Sequence, residues 1–513
     1  MSLVRISNKS NPKLNTLLCM ILFVLCAFFI RYFYSPIDIP LILDGLSNTL
    51  VAINLMSGGY FLDDYDKPNS GWPIFLSIIF QWNQEQTLQT FMDIQRLISI
   101  LFSSLTVIPI FLLCRKFFKD SLPYIGTLFF VFSPYLIENA YQGTNIPLFL
   151  FLTSIFLYLF FSDKISNNII SFGALGVASI IRYDSIIVVI PALLIYMHKY
   201  YKNNNHKRKI LVCIVLFVIP IIAMGTWRIL NGIPDGFFSH LFSNSSLIID
   251  QNIINEEPPE SRFFLDRGIF GLIKFSAISL LPICLLFIPY GIVPLIKSKN
   301  RDYIYLVTIG VFSSIPAVYG YGRGFDDIKY IFILFPIFTI ISLFFAQKII
   351  SKTRMTKIIV SILIAVILSS SIFLLEYKKT DKEYTREVVQ VAKIVSELPG
   401  RINNYGEESF YVEPLSYEAI EIPFQNSFTN REFNVYRING QSLDEIINDA
   451  KAKDLKYLAI TEKTQYSNEI FYDIYIENHD HRFLKKIFDS TENFQKFRIK
   501  IFEIDYSSFE LKN

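Results

Sequence analysis

LISILFSSLTVIPIFLLC (97–114) and LPYIGTLFFVFSPYLI (122–137) are two apolar runs separated by the short basic segment RKFFKDS (115–121). Each run approaches the length that a helix needs to cross about 30 Å of hydrocarbon. Apolar runs of this length that follow one another after a few charged residues are typical of membrane-spanning helices joined by a short turn. The stretch therefore predicts a helical membrane protein.

The composition of the whole chain agrees with this prediction and divides the chain in two. Of the 513 residues, 52% are hydrophobic and 18% are charged, whereas about 25% of the residues of a typical soluble domain are charged. The apolar runs lie within residues 1–375, and residues 376–513 are rich in Lys, Glu, Asp and Asn. We therefore predict a transmembrane domain over 1–375 and a soluble domain over 376–513.

Repeated apolar runs predict about eleven membrane spans. These runs are Leu14–Ile30, Leu97–Cys114, Leu122–Ile137, Pro147–Phe161, Ile169–Ile181, Ser185–Met197, Ile210–Trp227, Ile269–Ile296, Tyr303–Val318, Ile331–Phe345 and Ile358–Leu375. The shorter run GWPIFLSIIFQW (71–82) predicts a helix at the membrane interface, within a first loop over residues 31–96. No small-residue cleavage site follows the first run, which is therefore predicted to be a retained anchor.

Basic residues are concentrated in alternate connections between these runs and before the first run. They are Arg5, Lys9 and Lys13; Arg115, Lys116 and Lys119; Lys199, Lys202, Lys207, Arg208 and Lys209; Lys297, Lys299 and Arg301; and Lys348, Lys352, Arg354 and Lys357. The positive-inside rule places this side in the cytoplasm. The sequence thus predicts a multi-pass protein of the cell membrane, with a cytoplasmic N-terminus and an extracytoplasmic soluble domain.

The soluble domain is predicted to be a small α/β domain. Helix-like segments, TREVVQVAKIVSEL (385–398) and SLDEIINDAKAK (442–453), alternate with the strand-like runs SFYV (409–412), KYLAIT (456–461) and FRIKIFEI (497–504). The pair His479 and His481 has no accompanying carboxylate motif, so a solvated loop is favoured over a metal site. No cofactor is predicted, a divalent metal is left open without support, and no nucleic-acid partner is predicted.

Asp44 is the acid of greatest interest, in IPLILDGLSNTLVAINLMSGGYF (39–61) just beyond the first span. One interpretation is an N-cap of the amphipathic stretch that follows, since Asp is a favoured capping residue. The other is a general base that takes the proton of an attacking hydroxyl. The turn KPNSGWPIF (67–75) would shape the floor of the same cavity.

Three further motifs lie on the predicted extracytoplasmic side. In RYD, Arg182 and Asp184 form either a structural ion pair or a phosphate contact, because Arg matches phosphate well. In GYGRGFDDIKY (320–330), Arg323 and Lys329 are either snorkelling cations or a site for a phosphate leaving group. Glu138, in PYLIENAYQGTN, is either a second carboxylate near Asp44 or an exposed helix-end acid.

Taken in chain order, these motifs resemble the GT-C superfamily of integral membrane glycosyltransferases. The closest resemblance is to its glycosyltransferase family 39 branch, which contains protein-mannosyltransferase and aminoarabinose-transferase-like proteins. The features that carry it are Asp44-Gly45 with Gly58-Gly59-Tyr60, GWPIFLSIIF, Arg96, Pro134, Thr144-Asn145-Ile146-Pro147 and IIRYDSIIVVIPALLIY (180–196). The resemblance covers about the first two hundred residues, and the Lys329-Tyr330 region more loosely.

Two positions depart from the family pattern. Gly45 stands where many members have a second acid, and Asn145 stands where the second loop usually has Asp or Glu. Three explanations are open: Glu138 substitutes for the missing acid, the enzyme works with a single carboxylate, or the protein has lost activity.

The resemblance implies a glycosyltransferase that moves a sugar from a polyprenyl- or dolichyl-phosphate donor to a protein, lipid or glycan acceptor. Transfer would occur by inverting displacement at the extracytoplasmic face, with the soluble domain selecting or holding the acceptor and membrane lipids as further partners. The implied catalytic residues are Asp44 and Glu138, and the implied substrate- and phosphate-binding residues are Arg96, Arg182, Asp184, Arg323, Lys329 and Tyr330.

Two other classes of function remain open at this point. A transporter or lipid flippase predicts charged residues in mid-span and internal repeats. A catalytically inactive membrane protein that displays its soluble domain predicts that replacing Asp44 has no effect.

Overall fold

A computed structural model gives the fold of the chain. The residues it describes are 12–41, 44–58, 70–83, 87–201, 206–230, 264–279, 282–297, 300–325, 327–352, 356–396, 402–404, 435–437, 442–462, 469–476, 481–492 and 496–510. They belong to two compact units. The first unit comprises Met1–Ser35, Leu43–Gln86 and Thr90–Leu375, and the second comprises Pro36–Ile42, Thr87–Gln89 and Glu376–Asn513.

The described part of the first unit is built from α-helices, with two short 3-10 helices, Tyr183–Val188 and Ile328–Leu334. In chain order the α-helices are α1 (Pro12–Phe33), α2 (Asp44–Met56), α3 (Gly71–Phe80), α4 (Leu88–Leu105), α5 (Val107–Phe117), α6 (Leu122–Val131), α7 (Pro134–Tyr141), α8 (Ile146–Phe160), α9 (Ile165–Ile181), α10 (Val189–Tyr200), α11 (His206–Leu230), α12 (Phe264–Ser279), α13 (Pro282–Lys297), α14 (Arg301–Gly322), α15 (Phe335–Lys352) and α16 (Thr356–Ser396).

Local sequence explains where several of these helices begin and end. Proline occupies one of the first two positions of α6, α7 and α8, where its missing N–H removes no intrahelical hydrogen bond. Helix α9 ends because Arg182 adopts an extended backbone, with φ −148° and ψ 121°. The turn between α7 and α8 contains Gly143 at φ +68°, a conformation that favours glycine.

Six helical stretches among the described residues are long and apolar enough to cross a membrane. They are Thr16–Phe33, Leu88–Phe117, Lys207–Leu230, Arg301–Gly322, Ile328–Ser351 and Lys357–Tyr384. Shorter apolar helices accompany them, among them Leu122–Val131, Ile146–Phe160 and Ile165–Ile181. The predicted fold class, a polytopic helical membrane protein, is confirmed, and the number of eleven crossings stays a prediction.

One apolar core joins most helices of the first unit, and large aromatic side chains fill it. Trp72, Phe80, Phe129 and Phe172 are among those that are fully buried. Helix α3 approaches α9 so closely that a Cβ on Gly71 would lie 2.6 Å from the carbonyl oxygen of Ile180. Glycine at this position therefore lets α3 pack directly beside the end of α9, two residues before Arg182.

The second unit contains a five-stranded mixed sheet. Its strands are β1 (Ile402–Asn404), β2 (Val435–Arg437), β3 (Tyr457–Thr461), β4 (Leu484–Asp489) and β5 (Ile499–Ile504), in the order β2-β1-β3-β5-β4. Strand β1 is parallel to β2 and β3, and β5 is antiparallel to β3 and β4. Among the residues of this unit that the structure describes, three α-helices accompany the sheet: α17 (Leu443–Ala452), α18 (Glu469–Tyr475) and α19 (Tyr506–Glu510).

The predicted α/β character of this unit is confirmed, with two differences in detail. The strand-like runs at 456–461 and 497–504 are β3 and β5, and the helix-like segment at 442–453 is α17, whereas SFYV (409–412) lies outside the described residues. Strand β4, LKKIFD, was not predicted, because two adjacent lysines interrupt its alternation. The helix-like segment at 385–398 is the end of α16, which continues without a break through Leu375 and Glu376.

Candidate active site

Asp44 is the first residue of α2, and its side chain is half exposed. Its Oδ2 accepts a hydrogen bond of 2.7 Å from the Nζ of Lys329, and the exposed fractions of the two side chains are 48% and 20%. The partial positive charge of a helix N-terminus also stabilises a carboxylate at this position. Asp44 is thus an ion-paired acid that remains open to solvent, and its place at the start of a helix also fits the capping interpretation.

Lys329 lies between two carboxylates, because Asp327 contacts it as well. The Nζ of Lys329 is 3.2 Å from Oδ2 of Asp327, and the backbone N–H of Lys329 donates to Oδ1 of Asp327 at 2.9 Å. Asp327 therefore caps the 3-10 helix Ile328–Leu334 and orients the lysine at the same time. Asp327 was not among the predicted site residues, although an Asp just before a helical apolar run is the pattern of an N-cap.

Arg182 and Asp184 form a largely buried ion pair. The Nε and Nη2 atoms of Arg182 donate to Oδ2 of Asp184 at 2.8 and 2.6 Å, and the exposed fractions of the two side chains are 11% and 8%. The guanidinium carbon lies 5.9 Å from the centre of the Tyr330 ring and 5.8 Å from that of Phe149. Since Tyr330 directly follows Lys329, this pair and the Asp44–Lys329 contact occupy one region, which we call the charged cluster.

The charged cluster contains five of the eight residues that the sequence singled out, and it adds a sixth residue. The predicted members are Asp44, Arg182, Asp184, Lys329 and Tyr330, and the added member is Asp327. Their roles in binding and catalysis stay predictions. The geometry brings together carboxylates and cations from three separate stretches of the chain, which is the arrangement that a base and a phosphate-binding group require.

The other three predicted residues have contacts outside this cluster. The Nε of Arg96 donates to the carbonyl of Tyr141, at the end of α7, and its Nη1 pairs with Asp93 at 3.2 Å. Glu138 interacts electrostatically with Tyr135 in the same helix. Arg323 lies 5.9 Å from the ring centre of Tyr319 and 5.7 Å from that of Phe325. Their proposed roles also remain predictions.

A neutral, fully buried set of hydrogen bonds begins at the residue after Asp44, and we call it the Gln95 network. The Nε2 of Gln95 donates to the carbonyls of Gly45 at 2.7 Å and Gly143 at 2.6 Å, and its Oε1 accepts from the hydroxyl of Thr49 at 2.8 Å. The indole N–H of Trp72 donates to the same Gly143 carbonyl at 3.1 Å. Sequence reasoning missed Gln95, because a single glutamine in a membrane helix has no recognisable motif.

The described residues hold no group of three or more His, Cys, Asp or Glu side chains that is arranged to bind a metal ion. Of the histidine pair noted in the sequence, His481 lies 5.7 Å from the ring centre of Phe483, and His479 is outside the described residues. In the charged cluster the carboxylates of Asp44 and Asp327 share the ammonium of Lys329.

Comparison with solved structures defines the class of fold. The chain is similar to ArnT from Cupriavidus metallidurans bound to undecaprenyl phosphate, with a TM-score of 0.54, 12% identity, and coverage of 94% of this chain and 97% of that one. For the same protein in its apo state the values are 0.50, 11%, 96% and 99%. For the apo oligosaccharyltransferase of Archaeoglobus fulgidus they are 0.50, 8%, 92% and 72%. The chain therefore shares the overall fold of these solved structures.

A comparison with protein-family models finds a match over part of the chain. Residues 79–227 match the family model described as dolichyl-phosphate-mannose-protein mannosyltransferase. A comparison with curated proteins gives no match. The resemblance predicted from the order of the motifs is therefore confirmed, and the apolar helices together with the shared fold indicate a multi-pass membrane protein.

Proposed function

We propose that this protein is a membrane glycosyltransferase that moves a sugar from a polyprenyl- or dolichyl-phosphate donor to a protein, lipid or glycan acceptor. The observation that carries the proposal is the Asp44–Lys329 contact, in which a half-exposed carboxylate lies beside a cation. Support also comes from the GT-C fold and from the mannosyltransferase family model. The structure of ArnT with undecaprenyl phosphate supports a lipid phosphate as the carrier.

The proposed reaction is a single inverting displacement. Asp44 accepts the proton of an acceptor hydroxyl while the hydroxyl oxygen forms a bond to the anomeric carbon. The bond between that carbon and the phosphate oxygen breaks, and its electron pair stays on the polyprenyl phosphate that leaves. Lys329 and Arg182 stabilise the negative charge that develops on this leaving group. Arg323 and Arg96 are further candidates for contact with the donor, and Glu138 for a second carboxylate.

The proposal places the reaction on the extracytoplasmic face. Basic loops at the opposite ends of the helices, for example Lys116 in RKFFKD and Lys199, support a cytoplasmic location for that side under the positive-inside rule. The second unit would then be extracytoplasmic, where it is available to select or hold the acceptor.

The decisive experiment measures sugar transfer by the full-length protein in lipid nanodiscs, with candidate polyprenyl-phosphate sugars and membrane or peptide acceptors. Asp44→Asn is expected to lower transfer by at least about 10²-fold, because a general base typically contributes 10²–10⁴. Asp163→Asn is the matched control, since Asp163 also pairs with a lysine, Lys116, and is expected to keep full activity.

Two results would contradict the proposal in different ways. Full transfer by Asp44→Asn would show that Asp44 is not the base, and the proposed glycosyltransferase activity would still stand. A wild-type protein that consumes no lipid-linked donor would exclude the glycosyltransferase itself. Movement of intact donor between leaflets without cleavage would instead identify a flippase.

A further inference from the structure

The side chain of Gln95 connects three parts of the first unit through a single amide group. It projects from α4, and its exposed fraction is 0%. Its two N–H bonds reach Gly45 in the first turn of α2 and Gly143 in the turn between α7 and α8, and its oxygen accepts from Thr49 in α2. All the hydrogen bonds that the N–H groups of a carboxamide can donate are used, so the amide has one defined orientation.

This amide lies on a short structural path between the two halves of the charged cluster. On one side, Gly45 directly follows Asp44. On the other side, the Gly143 turn leads to Asn145, whose Nδ2 donates to the carbonyl of Ile181 at 3.3 Å, and Ile181 directly precedes Arg182. Neutral contacts, fully buried at Gln95 and partly buried at Asn145, therefore connect the backbone beside Asp44 to the backbone beside Arg182.

We propose that Gln95 is a positioning residue for sugar transfer, which holds Asp44 at a fixed distance from the Gly143 turn and the Arg182–Asp184 pair. The inference rests on the proposed function, because it assigns Gln95 a role in that reaction. It also gives a role to Asn145, the residue that stands where related proteins usually have an acid. Asn145 connects the turn to Arg182 through a neutral hydrogen bond.

The chemistry of the amide explains why glutamine is required at this position. Gln95 faces two carbonyl oxygens within 2.7 Å, and its two N–H bonds donate to both at once, which joins the start of α2 to the Gly143 turn. In Gln95→Glu, which has the same shape, an ionised carboxylate would face both carbonyls without a proton to donate. Gln95→Met fills similar space but leaves both carbonyls without this donor. Each change frees α2 to shift, and an error of about 1 Å in the placement of a reacting group costs about 10²-fold in rate.

The test compares kcat and KM for transfer by the full-length protein in nanodiscs. Gln95→Met and Gln95→Glu are expected to lower kcat about 10- to 100-fold while the KM for the donor changes less than about 3-fold. Thr49→Val keeps both donors of Gln95 and removes the hydrogen bonds from the Thr49 hydroxyl to the Gln95 oxygen and to the Gly45 carbonyl. It is expected to lower kcat less than either Gln95 variant.

Asn168→Leu is the matched control for a purely structural effect. Asn168 is also a buried amide, and its Nδ2 donates to the carbonyls of Leu159, Phe160 and Ser162 at the end of α8. This variant is expected to lower the melting temperature as Gln95→Met does, and to keep the wild-type kcat per folded molecule.

The outcomes separate this inference from the proposed function. A wild-type kcat per folded molecule in Gln95→Met, in a protein that transfers sugar, would overturn the positioning role and leave the function intact. A parallel loss of kcat in Asn168→Leu would also overturn it, because the effect would then be general loss of packing. Absence of transfer in the wild type would instead contradict the proposed function.

Discussion

The carboxylate of Asp44 and the carbonyl of Gly45 belong to consecutive residues but lie in different environments. The first belongs to the charged cluster, where it contacts Lys329 and is half exposed. The second belongs to the Gln95 network, where every side chain is fully buried and uncharged. The carboxylate of Asp44 can therefore exchange its partner, Lys329, whereas the carbonyl of the next residue keeps its partner, Gln95.

The difference follows from the cost of burying charge. An ion pair near the surface is worth little, about 0–1 kcal/mol. Asp44 is half exposed, so water can solvate its carboxylate when Lys329 leaves it for an incoming phosphate. A buried carbonyl that loses its donor costs about 1–3 kcal/mol, so the bonds of Gln95 are retained through a reaction cycle. Charges near water are suited to chemistry, and neutral buried bonds are suited to holding the geometry of that chemistry.

Replacing Lys329 tests the charged side of this comparison and carries the largest expected effect. Lys329→Met removes a cation that would face the leaving phosphate, and such a loss costs about 10²–10³-fold in kcat. Its melting temperature is expected to change little, because the two carboxylates that lose the lysine, Asp44 and Asp327, are both nearly half exposed to water. Lys116→Met, which removes the partner of Asp163, is expected to keep full transfer. A large loss of stability in Lys329→Met would show that the cluster is structural.

The Arg182–Asp184 pair separates the effect of charge from the effect of burial. It belongs to the charged cluster, but its side chains are nearly as buried as those of the Gln95 network. Arg182→Met is expected to destabilise the protein by about 3 kcal/mol, since it leaves a buried carboxylate without its partner. The double variant Arg182→Met/Asp184→Leu should recover most of the melting temperature in detergent and remain defective in transfer. Recovery of transfer in the double variant would assign the pair a structural role only.

Gly143 tests the backbone on which the Gln95 network depends. Gly143→Ala forces alanine to φ +68° and is expected to cost about 1 kcal/mol. Gly173→Ala is the matched control, because Gly173 lies in α9 with open space around a built Cβ, where alanine favours the helix. Thermal denaturation of both variants measures the difference. An equal change in both would mean that the turn tolerates alanine.

Asp489 in the second unit is a buried carboxylate with several hydrogen-bond and ion-pair partners, in contrast to the half-exposed carboxylate of Asp44. Burial raises the pKa of its carboxyl, but hydrogen bonds from Thr491 and Lys486 and the charge of Lys500 outweigh it, so the pKa lies below its ordinary value. Its stabilising contribution is therefore complete above the unfolded pKa of about 3.9 and is lost as the pH falls through the lower folded value.

Asp489→Asn is accordingly expected to destabilise the second unit by about 1 kcal/mol at neutral pH. The difference from the wild type should disappear at acidic pH, once the carboxyl is protonated in both states. The destabilisation is measured by backbone hydrogen exchange of β4 and β5 in the full-length protein. The quantity compared at each pH is the ratio of the exchange rate in the variant to that in the wild type. A ratio that does not change with pH would contradict the assignment.

The sequence predicted the membrane class, the α/β character of the second unit and five members of the charged cluster. These features depend on apolar length, on period and on charges at the ends of apolar runs, which are local properties of a sequence. Gln95 was missed because its role depends on contacts with residues far along the chain, whereas Asp327 was missed although its contacts with Lys329 are local. Gln95 contacts Gly45 and Gly143 only in the folded protein. Strand β4 was missed because its two adjacent lysines interrupt the alternation of apolar and polar residues that predicts a strand.

The sharing of Lys329 by two acids has a consequence for product release. Asp44, Asp184 and Asp327 carry three negative charges, and Arg182 and Lys329 carry two positive charges, so the cluster as described has a formal charge of −1. In the proposed reaction the lipid phosphate leaves with more negative charge than the donor brought in. A cluster without surplus positive charge has little excess attraction for this product, which favours turnover over inhibition by the spent carrier.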